Sequence, residues 1–93
     1  MSSPQLIPYT EGREGYVVYK DDKGLLKFYF EFGGGDCVAI VNIPREEEWA
    51  GIEGRTPAER EPVLKWIAEE LLQTQMKKGS YKIKAGCIEF YSR

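Results

Sequence analysis

The segment LLKFYFEFGGGDCVAIVNIP, residues 25–44, restricts the fold of this chain more than any other stretch. Two runs rich in aromatic and β-branched residues, 25–32 and 37–43, flank a glycine-rich break, which is the pattern of a β-hairpin. Both alternating sets of side chains in this hairpin are largely apolar. A hairpin with one solvated face should alternate more cleanly between apolar and polar residues. The segment therefore predicts a sheet whose two faces both contact other surfaces.

Alternation assigns the hairpin side chains to two faces. If the glycine break forms a two-residue turn, Phe30 pairs with Ala39, and this face sets large residues opposite small ones. Such a face suits close packing against a helix. The opposite face then carries Tyr29 and Ile40, and about half of that face is apolar.

One long helix is predicted after the hairpin. The sequence TPAE has the form of a capping box, in which Thr56 is the N-cap and Glu59 reaches back to it. The helix extends to about Lys78, and its regular part begins either at the cap, with a kink at Pro62, or only near Glu61. The apolar stripe of this helix covers one sheet face and consists of Leu64, Ile67, Ala68, Leu71 and Gln75.

Further strands are predicted on both sides of the helix. Residues 15–20, GYVVYK, predict a strand that the turn DDKG joins to the hairpin. Residues 80–93 predict a second hairpin, with apolar pairs on one face and Lys82 opposite Glu89 on the other.

These elements predict an α+β fold with the sequence order β-β-β-α-β-β. One antiparallel sheet packs the long helix on one of its faces, and residues 44–50 add a short helix or turn. The chain forms a single domain, residues 1–93. Residues 1–14 are predicted to be an irregular N-terminal arm, because proline and glycine punctuate them.

Composition excludes several classes of site. The chain has no histidine and a net charge of −2, so it lacks the commonest general base and the bulk positive charge of nucleic-acid binders. No apolar run approaches the roughly 18 residues of a membrane helix, and residues 1–5 lack the features of a signal peptide. Cys37 and Cys87 lie in apolar strand patterns and are predicted to be reduced thiols, which favours the cytoplasm. No catalytic residue, metal or cofactor is predicted.

The leading hypothesis is a non-catalytic domain that acts by protein–protein contact, as a homodimer through the outer sheet face. The apolar character of that face motivates it, because soluble monomers seldom expose a contiguous patch of several hundred Å². The candidate interface residues are Tyr16, Val18, Tyr29, Val38, Ile40 and Trp66. Two alternatives stay open: the arm covers this face within the monomer, or the register is shifted by one residue.

Two other functions compete with the dimer. Sheet tyrosines can stack on single-stranded nucleic acid, with phosphate contacts from a basic C-terminal set that comprises Lys77, Lys78, Lys82, Lys84 and Arg93. A small enzyme or ligand-binding protein would instead use the acids of residues 46–61 beside Trp49 and Trp66. That third hypothesis predicts that both tryptophans line one concave pocket.

Overall fold

Six antiparallel strands form one sheet in the computed structural model, which describes residues 4–76 and 78–92. The strands are β1 (Gln5–Glu11), β2 (Glu14–Asp21), β3 (Gly24–Phe32), β4 (Cys37–Asn42), β5 (Ser80–Ile83) and β6 (Cys87–Tyr91). Their order across the sheet is β1-β2-β3-β4-β6-β5. With the helices between β4 and β5, this arrangement confirms the predicted α+β fold.

The helical region consists of four consecutive pieces. They are α1 (Glu46–Ala50), a 3-10 turn (Pro57–Glu59), α2 (Arg60–Leu71) and a π-helical turn (Leu72–Met76). The predicted capping box is present, since the Thr56 N–H donates to Glu59 Oε1 at 3.1 Å. Regular α-helix begins after the cap, so Pro62 falls in the first turn of α2, where backbone N–H groups lack helical partners. The helical segment ends ahead of Gly79, which has a φ of 127°.

The predicted N-terminal arm is wrong for residues 5–11, which form the edge strand β1. This strand pairs with β2 from Gln5 opposite Lys20 to Glu11 opposite Glu14. Pro8 is tolerated in β1 because an edge strand has a ladder partner on one side only. Residues 1–3 of the predicted arm lie outside the described residues.

The register of the β3–β4 hairpin differs from the predicted one by two residues. Phe30 lies opposite Val41, and Ala39 lies opposite Phe32. The connection between the strands is longer than two residues, and the Gly33 N–H donates to the Val38 carbonyl across it at 2.8 Å. The pairing of β4 is also irregular between Cys37 and Ala39. A shift by an even number preserves the faces, so the assignment of side chains to the helix side and the outer side is correct.

The C-terminal hairpin has the predicted register. Lys82 lies opposite Glu89, and Ile83 lies opposite Ile88. This hairpin joins the sheet through β6, which pairs with β4.

The hydrophobic core lies between the sheet and α2. The buried residues of the helix are Val63, Leu64, Ile67, Ala68 and Leu71. The buried residues of the sheet side are Val17, Tyr19, Phe28, Phe30, Val41, Ile88 and Phe90. These large side chains reach the helix because every second strand residue points the same way.

A buried ion pair ties the β2–β3 turn to the loop before α2. The Arg55 guanidinium, whose side chain is 2% exposed, donates to both carboxylate oxygens of Asp21 at 2.6 and 2.7 Å. The hydrogen bond from Arg55 lowers the pKa of Asp21 from its ordinary value, against the effect of burial.

The lowered pKa of Asp21 predicts a specific loss of stability in acid. A carboxylate with a depressed folded pKa stabilises the protein fully above its unfolded pKa of about 4, and the contribution is lost as pH falls through the folded pKa. Asp21→Asn should therefore flatten the decrease in the free energy of unfolding below pH 4, measured by urea unfolding at several pH values. Asp36→Asn, in an exposed turn, serves as the control and should leave that decrease unchanged.

Candidate functional site

The sheet face opposite α2, called the outer face below, exposes large apolar and aromatic side chains. Tyr29 is 59% exposed, Tyr9 47%, Ile7 41% and Leu25 64%. Alternation along each strand places all of them opposite the buried set of the core. The predicted alternative in which the N-terminal segment folds over this face is wrong, because residues 5–11 extend the sheet at its edge.

Three tyrosines form a continuous row across β1, β2 and β3, called the tyrosine row. Tyr9 lies opposite Tyr16, and Tyr16 lies opposite Tyr29. The first two rings are stacked with centroids 4.8 Å apart, and the second two meet edge to face at 6.2 Å. Lys27 Nζ lies 4.0 Å from the Tyr16 ring centroid and 5.2 Å from that of Tyr29. This cation–π contact holds an ammonium group on the aromatic surface.

A row of glutamates borders the tyrosine row on one side and is called the acid row. Glu11 lies opposite Glu14, and Glu14 lies opposite Glu31. Like charges directly opposite each other destabilise a sheet. Within residues 4–76 and 78–92, the salt bridges include none to these three carboxylates. The acid row is therefore a cluster of three carboxylates that makes no ion pair within the described part of the chain, although Arg13 lines the same cleft.

Lysines lie on the other side of the tyrosine row. Val18 lies opposite Lys27 in the next row, and Lys20 lies opposite Leu25 in the row beyond it. Ile7 and Gln5 continue these two rows on β1. The outer face is thus polarised along the strands, with three carboxylates at one end, aromatic rings that carry the Lys27 ammonium in between, and Lys20 at the other end.

Glu89 shows how an acid on the same face is neutralised when partners are available. It accepts hydrogen bonds from the Tyr91 hydroxyl and from Lys84, whose Nζ lies 3.1 Å away. These contacts lower the pKa of Glu89, and the hydrogen bond to Glu89 raises the pKa of Tyr91 to about 12. Among the described residues, no carboxylate of the acid row forms a comparable ion pair.

The structure brings together four of the six predicted interface residues. Tyr16, Val18 and Tyr29 lie on the outer face of β2 and β3, and Ile40 continues it on β4, opposite Glu31. The sequence analysis did not include Tyr9 or the other β1 residues in the interface, because it predicted an irregular arm there. In the structure, alternate residues of β1 lie on the outer face.

Two predicted interface residues lie elsewhere. Val38 is at the irregularity between Cys37 and Ala39, and it borders an apolar cavity of about 280 Å³ beneath the C-terminal end of the helix. Trp66 lies on the helix side, where its ring meets that of buried Tyr19 edge to face at 5.6 Å. Neither residue belongs to the outer face.

The basic set of the nucleic-acid alternative is far from the tyrosines. Lys82 is on β5, and three strands separate β5 from β2 in the sheet, which corresponds to about 19 Å at the usual strand spacing. Lys84 is paired with Glu89, and Lys78 follows the helical segment. Lys77 and Arg93 lie outside the described residues.

The two tryptophans do not line one pocket. A cavity of about 540 Å³ between α1, the start of α2 and the β5–β6 turn is bordered by Trp49 but not by Trp66. At the side of this cavity, the Arg60 guanidinium donates to the Pro44 and Ala85 carbonyls at 3.1 and 2.9 Å. The arrangement ties α2 to both neighbouring segments and gives this arginine a structural role.

Other kinds of site find little support in the described residues. They contain no group of three or more cysteine and acidic side chains that could hold a metal ion. No helix among them has both the length and the apolar character needed to cross a bilayer. Comparisons with protein-family models, curated proteins and solved structures gave no match in any of the three. Functional inference consequently depends on the geometry of the outer face.

Proposed function

We propose that this protein is a small non-catalytic binding domain that acts by protein–protein contact through its outer face, with a second copy of the chain as its simplest partner. The supporting observation is the tyrosine row, in which Tyr9 and Tyr29 are exposed and Tyr16 is half-buried between them, on a sheet whose other face is already covered by α2. Tyrosine is enriched at protein interfaces, because it offers a large apolar body and a hydroxyl that tolerates partial burial. Ile7, Val18 and Leu25 extend the same patch.

A protein partner suits this face better than nucleic acid. The acid row lies beside the tyrosines, so phosphates of a bound strand would approach three carboxylates. Affinity for nucleic acid comes largely from neutralising phosphates with lysine and arginine. The lysines of the C-terminal hairpin lie several strands away from the rings.

A non-catalytic role in the cytoplasm completes the proposal. The chain has no histidine, and Cys37 and Cys87 are half-buried free thiols. Free thiols suit a reducing compartment, and burial in apolar surroundings makes a cysteine a poor nucleophile.

Self-association is expected to depend on Tyr29. Wild-type protein should change from the 10.7 kDa monomer toward twice that mass as its concentration rises through about 10 to 500 µM, the range of weak interfaces. Light scattering after size exclusion measures this change. Tyr29→Lys should weaken association about ten-fold or more, because it replaces a ring with a charge that must be desolvated.

Phe32→Lys is the matched control for Tyr29→Lys. Phe32 is also exposed, at 44%, but it borders the cavity on the helix side of the sheet. Its replacement should leave association unchanged. A wild-type monomer at every concentration, or equal weakening by the two variants, would contradict the proposed function.

A further inference from the structure

The polarity of the outer face also specifies how a second copy docks, an inference that rests on the proposed function. We infer that two copies pack outer face to outer face about a two-fold axis that runs across the strands, so that facing strands are antiparallel. Glu14 in the acid row of each copy then lies over Lys20 of the other.

Symmetry leaves two simple ways to pack this face on itself. In a closed dimer the same patch is used twice, and the two-fold axis of a face-to-face contact lies between the sheets. An axis along the strands places each row over the same row of the second copy. An axis across the strands reverses the rows, so that one end of each strand faces the opposite end of its counterpart.

The charges on the outer face distinguish these two arrangements. With the axis along the strands, Glu11, Glu14 and Glu31 of one copy would face the same three carboxylates of the other. Like-charge juxtaposition in an interface strongly opposes association. With the axis across the strands, the acid row faces the row of Gln5, Lys20 and Leu25, so Glu14 meets a lysine and the other two carboxylates no longer face like charges.

The contacts on β2 and β3 follow from the register. Glu14, Tyr16, Val18 and Lys20 point outward in succession along β2. When the axis passes between the tyrosine row and the row of Val18, Glu14 faces Lys20 of the second copy and Tyr16 faces its Val18. On β3, Tyr29 faces Lys27 of the second copy, which matches the cation–π contact that Lys27 already makes within one chain. Each of these contacts occurs twice because the dimer is symmetric.

The size of the polarised area predicts a weak dimer. Four rows on three strands span about 10 by 20 Å between their outermost positions at the usual strand spacing and rise. This footprint is smaller than the roughly 800 Å² per partner of a standard interface. Exposed charge pairs at the two ends make the association sensitive to salt. A micromolar dimer that dissociates further at high salt is therefore expected.

Charge reversal on one strand tests the arrangement. Glu14→Lys and Lys20→Glu should each weaken dimerisation about ten-fold, because each places like charges in contact across the axis. The double variant Glu14→Lys/Lys20→Glu restores opposite charges at both ends and should dimerise within about three-fold of wild type. Sedimentation velocity measures all four proteins, and circular dichroism checks that the exposed substitutions leave the fold intact.

Mixing experiments separate the two axes. The double variant mixed with wild type should form no heterodimer, because Glu14 of one chain would meet the introduced Glu at position 20 of the other. An axis along the strands predicts the opposite results: tighter association of Glu14→Lys and a stable mixed dimer. Those results, with a wild-type dimer that Tyr29→Lys still weakens, would overturn the orientation alone. A monomeric wild type would overturn the proposed function itself.

Discussion

Asp21→Ala is expected to lower the free energy of unfolding by about 3 kcal/mol, because it leaves a buried guanidinium without its counter-ion. The Arg55 side chain is 2% exposed, and Asp21 accepts from both of its terminal nitrogens. The remaining partners are more distant, with the Gly24 carbonyl at 3.4 Å and Glu59 Oε2 at 3.8 Å. Urea unfolding followed by circular dichroism measures the loss.

A double-mutant cycle separates this effect from lost packing. Arg55→Met keeps an apolar stem in place of the arginine, and the combined Asp21→Ala/Arg55→Met chain buries no unpaired charge. Replacing a buried ion pair by apolar residues is often close to neutral, so the double variant should be more stable than Asp21→Ala alone. Losses that simply add would show that the two side chains do not interact.

An exposed ion pair in the same region provides the control. Lys23 contacts Glu59, but the lysine side chain is 48% exposed, and pairs in water contribute little. Lys23→Ala should leave stability nearly unchanged. The Asp21–Arg55 pair also bears on the outer face, because it holds the turn between β2 and β3 that joins Lys20 to Leu25. Loss of that anchor should also weaken dimerisation.

Local patterns were sufficient to assign the faces of the sheet. Every second residue of a strand shares a face, so Phe30 was placed on the helix side and Tyr29 on the outer side from alternation alone. The predicted register was two residues off, because a two-residue turn was assumed where the glycine-rich loop is longer. Face assignment survived because two is even.

Long-range pairing accounts for what the sequence analysis missed. The tyrosine row exists only when β1 adds to the edge of β2, and Pro8 made that segment look irregular. The acid row likewise needs Glu11, Glu14 and Glu31 to be aligned across three strands. No single segment of the chain contains either row.

Two candidate interface residues, Val38 and Trp66, lie away from the outer face. Val38 was assigned outward by strict alternation, which the irregularity between Cys37 and Ala39 interrupts. Trp66 is not a member of the apolar stripe of the helix, so the helical pattern assigns it no partner. Its partner, the ring of Tyr19 on β2, is distant in sequence, so the helical pattern alone could not identify the contact.

Trp49→Ala is expected to lower the free energy of unfolding by about 3 to 5 kcal/mol, which is the range for removing a large aromatic side chain from a core. Trp49 is 0% exposed, and its indole N–H donates to the Thr56 carbonyl at 2.8 Å. The side chain thus joins α1 to the cap of α2. Because small domains have total stabilities of about 5 to 15 kcal/mol, this variant should unfold at a much lower urea concentration than wild type.

Conservative replacements show which part of Trp49 matters and keep the prediction testable if the alanine variant fails to fold. Trp49→Phe retains most of the buried area but loses the hydrogen bond, so a loss of about 1 to 2 kcal/mol is expected. Trp66 is half-buried. Trp66→Phe should lower the free energy of unfolding by less than Trp49→Phe does, because a phenyl ring can still meet Tyr19 edge to face. In that chain Trp49 is the single tryptophan, so its fluorescence should resist quenching by acrylamide until the protein unfolds. Ready quenching in the native state, or a larger loss for Trp66→Phe than for Trp49→Phe, would contradict the central position of Trp49 between α1 and α2.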